Sequence, residues 1–542
     1  MSALLKSTWL SLALFLPQSL LAANRPNVLF LFADDWGRQA SFYAELEKEK
    51  GISDAVSTPN FDRIAREGVL FLQAFVNAPS CTPCRSSLLS GQHFWRTGRG
   101  AILRGAVWDP EIPSWPLLLR DSGYHLGKSW KVWSPGTPRD APFGEQMYAY
   151  EETGGRINQF SQNVTELSAS GKSVDEAKQA LLDEVRENFR SFLADNKDDQ
   201  PFCYWFGPTN VHRKWERGSG KVLWGIDPDS LKGKLPPFLP DVPEVREDIA
   251  DYLGEVQAFD AEMGVLLDEL KQSGKYENTL IIASGDHGPP GFPHGKCNLY
   301  DFGTQVALAI AGPRVHGGRV VDDFVCLPDL APTILEAAEV SVPEVMTARS
   351  LWPVLASERS GQVDPARDAV FMGRERHVAS ARAGYLPYPQ RAIRTADYLF
   401  IINFHPERYP LGDPTGLEGS NPATEEAIRE NTHITLADED AGPTKAWLVE
   451  HRSDSQWKRY FDNAYGKRPR EELFDLKKDP DQMHNVAADP DYALVVDNLR
   501  ERLLTELRET GDPRLIDDGK YFETPPLAGP LPEEKIEVKK RE

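Results

Sequence analysis

Apolar and polar positions along this chain recur at two periods, and the switches between them mark its elements. The run Asn27 to Ala33 (NVLFLFA) stops abruptly at Asp34-Asp35-Trp36-Gly37, which predicts a buried parallel strand with a functional loop at its carboxyl end. After Thr58-Pro59, Phe61, Ile64 and Ala65 fall at helical spacing, and Gly68 closes that helix ahead of a strand from Val69 to Phe75. A long amphipathic helix carrying Ala177, Leu181, Val185, Phe189 and Phe192 leads into a strand from Phe202 to Phe206. Another, through Val256, Phe259, Met263, Leu266, Leu267 and Leu270, leads into Thr279 to Ser284 (TLIIAS), which ends in Gly285-Asp286-His287-Gly288. Strands alternating with helices predict an α/β fold, a mostly parallel sheet flanked by helices, with ligands gathered at the carboxyl ends of the strands.

Beyond about Val342 the texture changes. Shorter strand-like pieces such as Tyr398 to Phe404, Pro and Gly turns, and a late helix near Leu494 to Leu507 predict a smaller C-terminal α+β subdomain. The expected division is a catalytic domain over 24–342, the subdomain over 343–515 and a tail over 516–542, Pro-rich and charged from about Tyr521 and therefore loosely docked or disordered.

The first residues bear on where the chain works. One Lys precedes an apolar run from Trp9 to Leu21, broken by Pro17, and small residues follow at Ala22 and Ala23. This predicts a signal peptide over 1–23, cleaved near Ala23, and a periplasmic or secreted protein. An uncleaved membrane anchor is the competing reading, opposed by the shortness of the run and its Pro and Gln. No later apolar stretch is long enough to span a bilayer, so no stable span is expected in the mature form.

Composition narrows the partners. With 542 residues, 40% of them hydrophobic, the chain can bury one large core and a smaller satellite. Its 82 Asp plus Glu against 61 Lys plus Arg give a net charge of −21, which argues against a general polyanion-binding surface and a nucleic-acid partner. An anionic substrate would then need a local cluster of cations. The cysteines, Cys81, Cys84, Cys203, Cys297 and Cys326, are too few and too scattered for a disulfide framework or a zinc knuckle. An odd cysteine in an exported protein calls for an explanation.

Cys81-Thr82-Pro83-Cys84-Arg85 lies between the strand ending at Phe75 and a helix through Ser86 to Gly91. By itself, a cysteine at a helix start with an arginine four residues on reads either as a thiolate nucleophile or as a buried structural cysteine. The surrounding text changes the balance. C-T-P-C-R-S-S-L-L-S-G resembles the Cys-x-Pro-x-Arg signature of type I sulfatases, the family in which that cysteine becomes formylglycine. N-V-L-F-L-F-A-D-D-W-G resembles the family's opening strand and paired Asp, G-K-S-W its Gly-Lys motif, and S-G-D-H-G its second metal-binding pair. The later texts G-F-P-H-G-K-C-N-L-Y, A-I-R-T-A-D-Y-L-F-I and E-E-L-F-D-L-K-K-D-P-D-Q-M-H-N-V-A resemble the branch containing heparan N-sulfatase and its bacterial polysaccharide-sulfatase relatives. The resemblance spans nearly the whole mature chain, with the motifs in the family's order.

That resemblance implies an alkaline-phosphatase-like fold and hydrolysis of a sulfate ester or sulfamate on a carbohydrate from a sulfated polysaccharide. Formylglycine at position 81, made by a formylglycine-generating maturation enzyme, would be hydrated, attack sulfur with one hydroxyl and expel sulfate with the other. Asp34, Asp35, Asp286, His287 and residue 81 would hold a metal. Clustering the three carboxylates demands positive charge in any case, and oxygen ligands favour Ca2+ or Mg2+ over Zn2+; the resemblance implies Ca2+. Arg85 would hold the diol, helped by the helix amino terminus, and Cys84 matches the variable position of the signature. Lys128, Lys296 and His212 match the family's sulfate-binding Lys, second Lys and His. In relatives a His that handles the formylglycine proton commonly follows the first Lys by two positions; here that position is Trp130, and Lys131 is the candidate substitute.

Selectivity is expected from loops and from the smaller subdomain. Arg376 and His377, in the polar cluster after Phe371, are candidates for gripping sugar hydroxyls or a uronate, against the alternative of a solvated turn. Trp36, Trp130, Trp133 and Trp215 lie near the motifs and either stack on sugar faces or belong to the core. Two other functions stay open at this point. A phosphonate monoester or phosphodiester hydrolase can share the signature and fold, and a catalytically silent glycan-binding homologue fits the missing His but not the intact signature.

Overall fold

The protein's structure, a computed structural model, describes residues 25–418 and 422–530, so the leader expected over 1–23 lies outside the described residues. Its main sheet comprises β1 (Asn27–Ala33), β2 (Val69–Phe75), β3 (His125–Trp130), β4 (Phe202–Gly207), β5 (Thr279–Gly285), β6 (Leu308–Ala311) and β7 (Arg319–Cys326). The order across the sheet is β3-β4-β1-β5-β6-β2-β7. β3, β4, β1 and β5 run parallel, as do β2 and β7, while the short β6 pairs antiparallel with both neighbours.

β1 is apolar on both faces because both faces are covered. Leu29, Leu31 and Ala33 pack against α1 (Pro59–Glu67), α3 (Val174–Asp195) and α4 (Pro243–Gln272); Val28, Phe30 and Phe32 pack in the cluster holding Leu88 and Leu89 of α2 (Cys81–Ser90). The helices start where the sequence permits. Pro59 opens α1, where a missing N–H costs nothing, and Ser173 with Glu176 forms a capping box ahead of α3. Gly68 is required after α1, since a Cβ there would lie 2.1 Å from the Ile310 carbonyl of β6.

α4 carries a cost on its buried face. Burial pushes Glu255 up to about 7 and Glu262 well above the usual carboxylate range, and neither Glu262 oxygen has a hydrogen-bond partner among the described residues. An acid whose folded pKa is raised contributes stability that is complete below its unfolded pKa and is lost as pH rises through the folded value. The urea midpoint should therefore fall between pH 5 and pH 8. Glu262→Gln should flatten that fall and raise stability at pH 8 by roughly 1–3 kcal/mol; an unchanged pH profile would contradict the assignment.

A second, antiparallel sheet follows, in the order β11-β10-β9-β8, from β8 (Ala369–Arg374), β9 (Gln390–Thr395), β10 (Tyr398–Asn403) and β11 (Glu471–Asp475). Between β10 and β11 the chain forms α5 (Pro443–Glu450). α6 (Ala493–Glu509) lays Val496, Leu499, Leu503 and Leu507 on Ile393, Phe400 and Ile402. Residues of the opposite face, including Met372, Ala392, Leu399 and Ile401, pack with Phe75, Leu299 and Phe324, tying the smaller sheet to the larger.

Two expectations change here. The tail is not loose over its described part, for Phe522 and Leu527 are buried in the cluster under α6. Arg376, expected to grip substrate, is the clasp: it is 1% exposed and donates to the carbonyls of Gly529 (2.9 Å), Pro526 (3.1 Å) and Arg104 (3.0 Å). Its two terminal nitrogens are spent on backbone carbonyls, while its Nε is buried without a hydrogen-bond partner among the described residues. Arg376→Ala should expose residues 516–530 to limited proteolysis and cost about 1–3 kcal/mol; a tail as protected as in the parent protein would contradict this role. No helix among the described residues is long and apolar enough to cross a membrane.

Candidate active site

The centre is built on the loops after β1 and β5, which are in register from Asn27 beside Thr279 to Ala33 beside Gly285. Asp35 takes a left-handed backbone (φ 63°), a conformation Asp tolerates better than most residues, and its N–H donates to Asp286 Oδ1 at 2.8 Å. This bond draws the two acidic loops together. His287 comes next, with Nδ1 donating to the Gly288 carbonyl (3.1 Å), which leaves the lone pair on Nε2. That Nε2 is buried without a hydrogen-bond partner among the described residues, 3.2 Å from Asp35 Oδ1 and 3.5 Å from Asp286 Oδ1. A nitrogen acceptor facing two carboxylate oxygens, with no donor between them, fits a divalent cation. Asp35, Cys81, Asp286 and His287 each present a ligand atom within 4.8 Å of the others, and Asp34, Asp35 and His212 form a second such group.

Cys81 opens α2, with its Sγ 4.0 Å from Asp35 Oδ1. Burial and then Asp34 push its thiol up to about 12, which disfavours the thiolate. One turn on, the buried Arg85 donates to Asp286 (2.8 Å), to Asp34 (3.3 Å) and to the carbonyls of Lys131 and Val132 (3.2 Å each).

Lys131 donates to both oxygens of Asp34 at 2.6 and 2.7 Å. Burial opposes its charge, but Asp34 outweighs that and raises its pKa, making Lys131 a fixed cation and a poor proton acceptor. For Asp34 the balance runs the other way: burial pushes its carboxyl up, and Lys131 and Arg85 overcome this to hold it well below the usual range. Lys296 bridges Asp35 (3.0 Å) and Asp440 (3.1 Å).

Lys128 is absent from this group, against expectation. It lies inside β3, wholly buried, with Nζ 3.0 Å from Asp140 and 3.3 Å from Glu151. The cause is at the strand end, where Trp130 adopts φ 65° and turns the following Lys131 into the centre. The charge count is also revised. Asp34, Asp35 and Asp286 already face Arg85, Lys131 and Lys296, so the carboxylates do not need a metal for neutrality. A divalent ion would instead leave an excess of positive charge, suited to an anionic group.

Asp34, Cys81, Lys131 and Lys296 line a cavity of about 790 Å³ together with His212, His377 and Asp440. His212 Nδ1 donates to the Arg213 carbonyl (2.6 Å), leaving Nε2 as the exchangeable position, 3.8 Å from Asp35 Oδ2. His377 pairs its Nδ1 with the Ser80 hydroxyl at 2.8 Å, and burial pushes it down to about 3, so it is neutral. Trp36, Trp130 and Trp133 are core residues; Trp215, half-buried, packs by Tyr252 and Phe292. Sequence reasoning missed Asp440, whose text A-D-E-D reads as a solvated acidic turn.

Known proteins resemble this chain over most of its length. The family model described as Sulfatase matches residues 26–340. N-sulphoglucosamine sulphohydrolase of Homo sapiens is 28% identical over 535 residues, covering 92% of this chain and 93% of the relative. An ulvan-active sulfatase of Formosa agariphila is 24% identical over 507 residues, covering 90% and 76%. In fold, phosphonate monoester hydrolase of Agrobacterium radiobacter superposes with a TM-score of 0.60 at 19% identity, over 91% of this chain and 97% of that one. A strand-end pair of acidic loops, a buried Cys-x-Pro-x-Arg helix start and a family match over more than half the chain lead to one conclusion: the chain belongs to the sulfatase family.

Proposed function

We propose that the chain is a formylglycine-dependent, calcium-binding sulfatase that removes sulfate from an amino sugar of a sulfated polysaccharide, outside the cytoplasm. The observation that carries this reading is the buried Cys81 at the start of α2, beside the Asp35–Asp286–His287 group and ringed by Arg85, Lys131 and Lys296. Oxidation of Cys81 to formylglycine by a maturation enzyme would replace an inert thiol with an aldehyde whose hydrate carries the attacking hydroxyl. Asp34, Asp35, Asp286 and His287 would hold Ca2+, or Mg2+, which would supply Lewis-acid polarisation and an acidified nucleophile.

The chain's own residues perform the rest. Arg85 holds residue 81 and the acidic loops in one arrangement. Lys131 and Lys296 present fixed positive charge to the sulfuryl oxygens, in a buried setting where such charge acts strongly. His212, with Nδ1 tied to a carbonyl, offers Nε2 to protonate the leaving nitrogen or oxygen. His377, neutral and on the cavity wall, is assigned to a sugar hydroxyl.

The similarity to N-sulphoglucosamine sulphohydrolase over 92% of the chain supports an N-sulfated amino sugar as substrate. The test is sulfate release from N-sulfated glucosamine, its 6-O-sulfated isomer and sulfated algal oligosaccharides, beside a matched phosphodiester, using protein co-produced with a formylglycine-generating enzyme. The expected result is release from the N-sulfated sugar, lost in Cys81→Ala. Turnover of the phosphodiester alone would favour the second reading, a phosphonate monoester or phosphodiester hydrolase, which the shared fold keeps in view.

A further inference from the structure

Asp440 is an acid in the wrong place for a site that only binds sulfate. Its carboxylate lines the cavity, 3.1 Å from the Nζ of Lys296, and its side chain is 16% exposed. An anion there repels a sulfuryl group and offsets part of what Lys296 contributes. Among the described residues Lys296 is the one side chain in ion-pair contact with Asp440, His212 and His377 act on it from farther off, and Oδ2 is fully buried.

The segment that carries Asp440 is fastened from three sides. Lys445, the third residue of α5, is buried and donates to the carbonyls of Leu436 (3.1 Å) and Glu439 (2.7 Å). Asp438 accepts from Arg374 (2.6 Å) and from the Val378 N–H (2.8 Å) and pairs with Arg382 (2.7 Å). After Asp440, Gly442 lets the chain pass the Arg213 guanidinium, which a Cβ at 442 would meet at 2.6 Å, and Arg213 is itself locked to Asp248 by two bonds of 2.8 Å. Such anchoring holds the carboxylate against the cavity. It is the arrangement expected of a preformed recognition group, because a charge kept partly desolvated and under-bonded gains most when a ligand supplies the missing donor.

We propose that Asp440 is a specificity-determining residue, accepting a hydrogen bond from an O–H or N–H of the sugar next to the sulfated position. The substrate class is then a sulfated sugar with a free donor adjacent to the sulfate. Sulfate esters without such a donor lose by leaving Asp440 unpaired beside their own negative charge. This inference rests on the sulfatase reading above and adds the feature of the sugar that the site reads.

The experiment compares kcat/KM for three substrates: the sulfated sugar that the enzyme turns over, its analogues deoxygenated singly at each hydroxyl adjacent to the sulfate, and 4-nitrophenyl sulfate. Parent protein and Asp440→Ala are both produced with the formylglycine-generating enzyme. The parent should prefer the full sugar over one deoxy analogue by about 10- to 100-fold, the range of a hydrogen bond to a charged group. Asp440→Ala should erase that preference and lower the ratio of sugar to aryl sulfate turnover by a similar factor. Asp440→Asn, which keeps an acceptor, should retain part of it. Equal losses on the sugar, the deoxy analogues and the aryl sulfate would show that Asp440 acts only through Lys296 and would overturn the inference alone. A parent protein that releases sulfate from none of them would overturn the sulfatase reading together with it.

Discussion

Lys131→Ala lowers kcat/KM for sulfate release by roughly 10²- to 10³-fold, the loss typical of one donor to a developing anionic centre. The residue is buried, bonded to both oxygens of Asp34 and charged at neutral pH, so what the substitution removes is fixed positive potential. The effect should appear in kcat and KM together, without a shift in the pH profile, because no titrating group disappears near neutrality. Lys128→Met gives the opposite signature. Lys128 lies within β3, its Nζ against Asp140, where removing one member of a buried ion pair leaves a desolvated charge and costs about 3–5 kcal/mol of stability. Urea unfolding and steady-state kinetics on the two variants separate the roles. Full turnover in Lys131→Ala, or lost sulfate binding in a stable Lys128→Met, would reverse the assignment.

Chelation is expected to have an effect of similar size. Stripping divalent ions should abolish sulfate release and lower Tm, and adding Ca2+ back should restore both. A ligand at a thousand times its Kd stabilises the folded state by about 4 kcal/mol, so the shift is readable by calorimetry without any activity assay. His287→Ala should weaken calcium binding roughly tenfold or more, since it removes a buried nitrogen at the acidic centre whose lone pair has no hydrogen-bond partner among the described residues. The fold itself should survive, because Arg85, Lys131 and Lys296 already balance the carboxylates. A Tm indifferent to chelator and calcium would contradict the metal site.

How much of this was legible in the chain depended on what each residue's neighbours in sequence reveal. β1, β2, β4 and β5 are apolar runs with abrupt polar ends, and α3 and α4 keep their period over several turns, so pattern alone locates them. β3 (HLGKSW) and β7 (RVVDDFVC), the two edges of the sheet, interrupt their apolar runs with charges, among them the buried Lys128 and Asp323, and β6 has four residues. The antiparallel direction of β6 leaves no trace in a periodicity of two. The acidic loops announced themselves because they follow directly on apolar strands. Lys131 was named only as a stand-in for the missing His, and its role as a fixed cation on Asp34 was not legible, since its entry depends on a left-handed Trp130 that no pattern encodes. Arg376 and Asp440 were misread or unseen for a common reason: a polar text in a loop looks the same whether it faces water, a buried carbonyl or a catalytic lysine, and only long-range packing decides among these.

The central claim is that residue 81 works as formylglycine. The most direct test is the mass of the tryptic peptide containing position 81, from protein produced with and without a formylglycine-generating enzyme, set against sulfate release from the same two samples. The account predicts that the active sample carries an aldehyde there, with sulfur and two hydrogens lost and one oxygen gained, and that turnover rises in proportion to the converted fraction. Full turnover by protein whose Cys81 is an intact thiol would contradict it.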